Sequence, residues 1–351
     1  MTPRERVLAT LRGEKTGKIP FTIYESMIPQ CAVERRLRNG GLCIVNRRVP
    51  AVNTERPNCT EKIIRYPDPE TGRQLTRVEI TTPAGVLTQI KEPAEFTSWT
   101  REHLFKGPED YAALRAFAAD EVYTPNYDEF SRAEAWMGED VILRAGAGGN
   151  PLHRIMIGWM NIETFSVEWA ERRDEVLALE KVMADKARER FPLVAASPAT
   201  HANFGGNEVP EVMGPQRYEE FCLPLVKECA EVLGAAGKFA GSHMDGNNRP
   251  WADLLARSGL HYVEAFTPEP GTDMSVAEAL EAWPDKVLWS NFPSATHLAP
   301  LDEVKRITRD QIEQARSFDG PNRLIIGITE DIPKDRWQES LQAICEVINE
   351  S

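Results

Sequence analysis

The stretch Phe239–Asn248 (FAGSHMDGNN) decides how this chain is read. A short apolar run ends in small residues and a polar turn, so a buried strand delivers His243 and Asp245 at its end. Leu324–Pro333 (LIIGITEDIP) repeats the pattern and presents Glu330, and His261–Phe266 (HYVEAF), between the two, presents Glu264. An imidazole and several carboxylates brought to one rim by parallel strands can form a divalent metal site with nitrogen and oxygen ligands. Each has a plainer reading: Asp-Gly-Asn-Asn is an ordinary turn, and Glu330 or Asp331 can cap the helix after Pro333.

Outward from these segments, short apolar strands alternate with helices. Strands are expected at Asp140–Leu143, Leu193–Ala196, Lys238–Ala240, Tyr262–Glu264, Val287–Trp289 and Arg323–Ile326. Helices are expected over 165–190, 215–235, 248–258, 275–283, 301–317 and 334–349. Ile19–Tyr24 reads as a first buried strand, and an eighth is placed near 153–162. Such alternation implies a parallel sheet covered by helices. No Gly-x-Gly-x-x-Gly turn follows the first strand, and the polar residues end several different strands, which favours a closed (β/α)8 TIM barrel over an open sheet.

Two features precede the barrel rhythm. Thr2, Pro3 and Glu5 form a capping-box start to an N-terminal helix that Gly13 ends. Residues 44–92 read as an antiparallel β excursion, with strands at Lys62–Arg65, Leu75–Thr82 and Val86–Lys91. Too little apolar surface lies there for a separate domain, so the expectation is one barrel domain over 1–351 with 44–92 inserted.

Composition limits the function classes. The 351 residues are 42% hydrophobic and 27% charged, ordinary for a soluble globular protein, and the net charge of −13 argues against a general nucleic-acid binder. Six cysteines without a CxxC pair read as reduced thiols. No apolar run approaches the ~20 residues of a membrane span, and the N-terminus is charged. These point to a cytoplasmic protein with no membrane partner.

Other residues are placed at the mouth by position. Tyr24 and Glu25 follow the first strand and are candidate substrate contacts. Gly205-Gly206-Asn207-Glu208, after Pro198–Phe204, can approach a ligand closely, with Asn207 and Phe204 beside it. Trp159 and Phe266 are further candidate aromatic walls. Arg144–Asn150 (RAGAGGN) has a phosphate-loop composition but lacks the Gly-Lys-Ser/Thr ending.

Met1–Phe21 (MTPRERVLATLRGEKTGKIPF), Pro83–Thr88 and Met213–Leu225 (MGPQRYEEFCLPL) resemble segments of the uroporphyrinogen decarboxylase-like superfamily. The resemblance implies a (β/α)8 barrel with its site at the C-terminal mouth. The decarboxylases of that superfamily carry an Arg-Gln-Ala-Gly-Arg segment after the first strand, where this chain has Tyr24–Gln30 (YESMIPQ). The corrinoid-dependent methyltransferase branch resembles it better. Its coenzyme-M members use a His-x-Cys zinc motif, a glutamate about one strand later and a late cysteine. Here those places read His243-Met244-Asp245, Glu264 and Glu330, so the sulfur ligands are gone. The resemblance thus implies zinc held by His243, Glu264 and Glu330, with Asp245 a ligand or near partner. Without thiolates the metal is harder and suits an ether oxygen. The implied activity is the methyltransferase component of an O-demethylase, moving methyl from a methoxylated, aromatic substrate to the cobalt of a corrinoid (cobalamin) partner protein. The alternatives are a metal-independent decarboxylase, using cations such as Arg144 and Arg249, and a non-catalytic binding barrel.

Overall fold

Eight parallel strands are hydrogen-bonded in chain order in a computed structural model that describes residues 1–94 and 97–351. They are Phe21–Tyr24 (β1), Leu42–Asn46 (β2), a split β3, His201–Phe204 (β4), Phe239–His243 (β5), Tyr262–Phe266 (β6), Val287–Asn291 (β7) and Leu324–Ile328 (β8). β3 runs as Val141–Leu143 and Ala145–Gly148 on either side of Arg144. Its first half pairs with β2 and its second with β4, while β8 pairs with β1. The strand order therefore returns on itself through Arg144. The fold is a (β/α)8 TIM barrel with an N-terminal helix and an antiparallel β sheet.

The chain divides into two compact units. One comprises Met1–Ala51, Asn126–Gly148 and Val194–Ser351, and holds the barrel. Its N-terminal helix, Pro3–Leu11, has the predicted capping box, with Thr2 Oγ1 accepting from Glu5 N–H and Glu5 accepting from Thr2 N–H. Val7 and Leu11 of that helix pack with Cys43, Val45, Ile142, Tyr262, Val287, Trp289 and Ile325 in one buried cluster. Gly241 on β5 lets β6 in: a Cβ there would lie 2.1 Å from the Tyr262 ring. Among the described residues no helix is long and apolar enough to cross a membrane.

The second unit comprises Val52–Pro125 and Gly149–Leu193. It holds a four-stranded antiparallel sheet of Thr60–Pro67, Gln74–Thr82, Gly85–Pro93 and Ser98–Glu102, and the pair Val52–Glu55 with Val122–Pro125.

Several expected elements are corrected. Leu193–Ala196 is the last turn of a helix, Arg173–Ala196, that continues past Pro192. Its apolar side chains mimic a strand, but Phe191 and Val194 are buried from a helical face. The strand is β4, a few residues later, where polar His201 and Asn203 disguise the pattern. The segment expected to supply the eighth strand carries a π-helix, Arg154–Trp159. The overlooked strand is β2, whose Leu42–Val45 run was partly absorbed into the start of the antiparallel excursion. Ala145–Gly148, read as a loop, is strand.

Candidate metal centre at the barrel mouth

The strands pair so that His243 stands opposite Glu264. Their side chains meet at the C-terminal ends, the face where barrels of this class carry chemistry. His243 Nδ1 lies 3.2 Å from Glu264 Oε2 and 3.1 Å from the Tyr24 hydroxyl. His243 Nε2, on the other edge of the ring, lies 3.1 Å from Asp245 Oδ1 and 3.2 Å from Glu330 Oε1. His243, Asp245 and Glu330 each offer a ligand atom, all within 4.8 Å of one another.

Glu264, expected among the ligands, lies behind the imidazole and is fully buried. One oxygen takes a short contact from Arg144 Nη1, and the other accepts from Asn203 Nδ2 at 2.6 Å. Tyr262 O–H donates to Asn203 Oδ1, and Arg144 Nη1 also reaches the Tyr24 hydroxyl at 3.0 Å. Arg144 owes its position to the break in β3. Burial pushes the Glu264 carboxyl upward, but the guanidinium and imidazole outweigh it and hold it far below the usual carboxylate range. Burial alone would lower the His243 pKa; its bonds to Asp245, Glu264 and Glu330 reverse that and hold it well above normal. Burial, reinforced by Glu264, pushes the Tyr24 phenol up to about 12, so it keeps its proton. Burial raises the Glu330 carboxyl, and nearby Asp245 adds to the rise.

The donor set fits a divalent cation. With the imidazole neutral, the carboxylates of Asp245, Glu264 and Glu330 face one guanidinium, Arg144, which leaves two negative charges to balance. An imidazole liganded through Nε2 carries its proton on Nδ1, where Glu264 accepts it and fixes the ring.

Backbone strain is concentrated here. The described non-glycine residues with left-handed φ are Asn207 (64°) and Ala265 (59°), and both adjoin the site. Ala265 sits in an irregularity of the β6–β7 pairing just after Glu264. In the Gly205–Glu208 loop, Asn207 N–H donates to the His243 carbonyl at 2.9 Å. A Cβ on Gly206 would lie a tight 3.1 Å from His243 Cβ, and the φ of 138° at this position favours glycine.

The other expected contacts are distributed as follows. Phe204 and Phe266 are buried, as is Trp159 in the second unit, and Asn207 is exposed. Glu25 is engaged by Arg47 and Arg48. Arg249 is held on the exterior by Asp273 and Glu278. Asn203 and Tyr262 were not anticipated, and neither was Glu208 as an inward-turned residue. Reading His201–Phe204 as a strand would have exposed Asn203, because alternation puts it on the opposite face from Ala202 and Phe204.

Glu208 is fully buried, and its Oε2 accepts from Gly206 N–H at 2.7 Å. Burial pushes its carboxyl up to about 7, from an ordinary value of 4.5. The folded protein thus holds a proton that the unfolded chain releases as pH rises through that interval. The stability linked to that proton is fully present below about pH 4.5 and is lost as pH rises through about 7, by about 3 kcal/mol. Glu208→Gln should therefore gain about 3 kcal/mol over wild type at pH 8 and little at pH 4.5. Urea denaturation at the two pH values checks this, and an equal effect at both would refute it.

The mouth of this TIM barrel thus carries a charge-coupled, metal-competent cluster. Residues 201–351 match the family model described as uroporphyrinogen decarboxylase (URO-D). That match runs from β4 through the strands bearing His243, Asp245, Glu264 and Glu330. No curated protein matches the chain. Similar solved structures include D-psicose 3-epimerase with D-tagatose from Clostridium cellulolyticum H10, at 10% identity and a TM-score of 0.35, over 63% of this chain and 81% of that one. Another is a dipeptide epimerase from Enterococcus faecalis V583, at 14% identity and a TM-score of 0.29, over 83% and 79%. These likenesses carry nothing about chemistry.

Proposed function

We propose that the chain is a zinc-dependent methyltransferase that moves a methyl group from a methoxylated aromatic substrate to the cobalt of a partner corrinoid protein. The observation that carries this reading is the cluster of His243, Asp245 and Glu330, whose nitrogen and oxygen ligand atoms lie within 4.8 Å at the barrel mouth. With no thiolate among its donors, a bound zinc would supply Lewis acidity towards an ether oxygen. The chain's own residues hold and orient. Glu264 fixes the tautomer of His243, and Arg144 keeps Glu264 ionised. Tyr24, protonated and 3.1 Å from Nδ1, holds the ring from a second direction. In the overall reaction the methyl–oxygen bond breaks, its electron pair stays on oxygen as a phenolate, and the methyl group passes to cobalt(I).

Purified protein should retain about one zinc per chain. With a cobalt(I) corrinoid protein, it should convert methoxyaromatics to phenols, faster when electron-withdrawing substituents stabilise the phenolate. The family description over residues 201–351 favours a second reading, metal-independent decarboxylation. Metal-free protein that releases carbon dioxide from an acid and cleaves no ether would establish that reading instead.

A further inference from the structure

The rim beside the cluster has a charge imbalance of its own. Arg47 and Arg48 follow β2, and both reach one carboxylate, Glu25, which follows β1. Arg47 Nε lies 3.2 Å from Glu25 Oε2, and Arg48 Nε lies 3.5 Å from Oε1. Two guanidiniums against one carboxylate leave a positive charge in excess, and no other ion pair engages either arginine among the described residues. Glu25, read from the sequence as a substrate contact, is thereby occupied. The group at this rim with unspent charge is a cation.

Arg47 is also braced. Its Cζ lies 3.5 Å from the centroid of the Tyr24 ring, and its Nη2 reaches Ser26 Oγ at 3.3 Å. The same Tyr24 ring lies 6.3 Å from the His243 ring, with 24° between their planes. One phenol ring therefore connects this arginine pair, through Arg47, to the imidazole of the metal cluster. A guanidinium clamped by a ring, a carboxylate and a hydroxyl, with its side chain still 30% exposed, is pre-organised to receive an anion. In a chain of net charge −13, an anionic substrate needs such a local reversal of sign.

We propose that Arg47 recognises a carboxylate on the substrate, and that the substrate class is the methoxylated aromatic acids. The carboxylate meets Arg47, and the ether, across one benzene ring, faces His243, Asp245 and Glu330. This rests on the ether-cleaving reading above, and it adds the sign of charge the substrate must carry.

The test compares 4-methoxybenzoate with neutral 4-methoxybenzyl alcohol for demethylation in the presence of a cobalt(I) corrinoid protein. It also measures binding of the demethylated pair, 4-hydroxybenzoate and 4-hydroxybenzyl alcohol, by calorimetry without the corrinoid. Wild type should prefer the acid in both assays. Arg47→Met should lower 4-hydroxybenzoate affinity roughly ten- to hundredfold, the worth of a charge-assisted hydrogen bond. It should collapse the acid-to-alcohol ratio of kcat/KM, and Arg47→Lys should recover part of that ratio. Demethylation without preference for the acid, or a preference that survives Arg47→Met, overturns the carboxylate assignment and leaves ether cleavage standing. Arg47-dependent binding of the acid, with neither compound demethylated, overturns the ether-cleaving reading and supports the anion site alone.

Discussion

His243→Ala is expected to abolish methyl transfer and to strip the protein of zinc while the barrel stays folded. The imidazole is the one nitrogen donor of the cluster, and its Nε2 lies 3.1 and 3.2 Å from the carboxylates that would share the metal. Removing an outer partner of a ligand costs roughly 10- to 100-fold in metal affinity. Removing the ligand itself should exceed that, so the variant should retain far less than one zinc per chain after dialysis. Glu264→Gln supplies the contrast: it keeps the shape behind His243 but weakens the acceptor for Nδ1–H, and should fall within that 10- to 100-fold range. The fold should survive His243→Ala because Glu264 keeps Arg144 and Asn203. Elemental analysis and circular dichroism give the two readouts. Full zinc retention in a folded His243→Ala protein would remove the metal centre as described.

The second large effect is on stability. Arg144→Met leaves the fully buried Glu264 without its guanidinium, and breaking a buried pair from one side costs about 3–5 kcal/mol. The double variant Arg144→Met/Glu264→Gln should recover much of that loss, because it removes the orphaned charge along with its partner. It should still be inactive, since the imidazole loses the carboxylate that fixes it. Urea midpoints at neutral pH separate these outcomes. If the single and double variants were equally destabilised, the loss would come from packing around the break in β3 and not from charge.

The residues that announced the fold did so because their local signals agreed with their tertiary surroundings. β5, β6 and β8 are apolar strands running into small or polar turns, and the N-terminal helix carries a complete capping box. β4 was hidden because only four residues pair, two of them polar and facing partners far away in sequence. Leu193–Ala196 misled because four apolar residues at a helix end cannot be told from a short strand by periodicity. In the site, the pattern brought out His243, Asp245, Glu264 and Glu330 together. It could not say which carboxylates face Nε2 and which stands behind Nδ1. That division depends on Arg144 and Asn203, one at a strand break and the other on β4, which lies a few residues beyond the segment expected to be strand. The ion pairs of Glu25 with Arg47 and Arg48 were hidden for the same reason, since both arginines follow a strand the pattern did not reveal.

The pairing of β1 with β8 has a consequence for how the protein is made. Phe21 lies in register with Ile326, so the first strand waits for almost the whole chain before its second neighbour exists. Tyr24 and Glu330 then approach His243 from the two ends of the polypeptide. A nascent chain on the ribosome can form its N-terminal helix early, but it leaves β1 with an open edge until β8 has emerged. Such an edge invites pairing with the wrong chain. Production in cells should therefore depend on chaperones that shield this interval, and truncation anywhere before β8 should yield aggregate, not a partly active barrel.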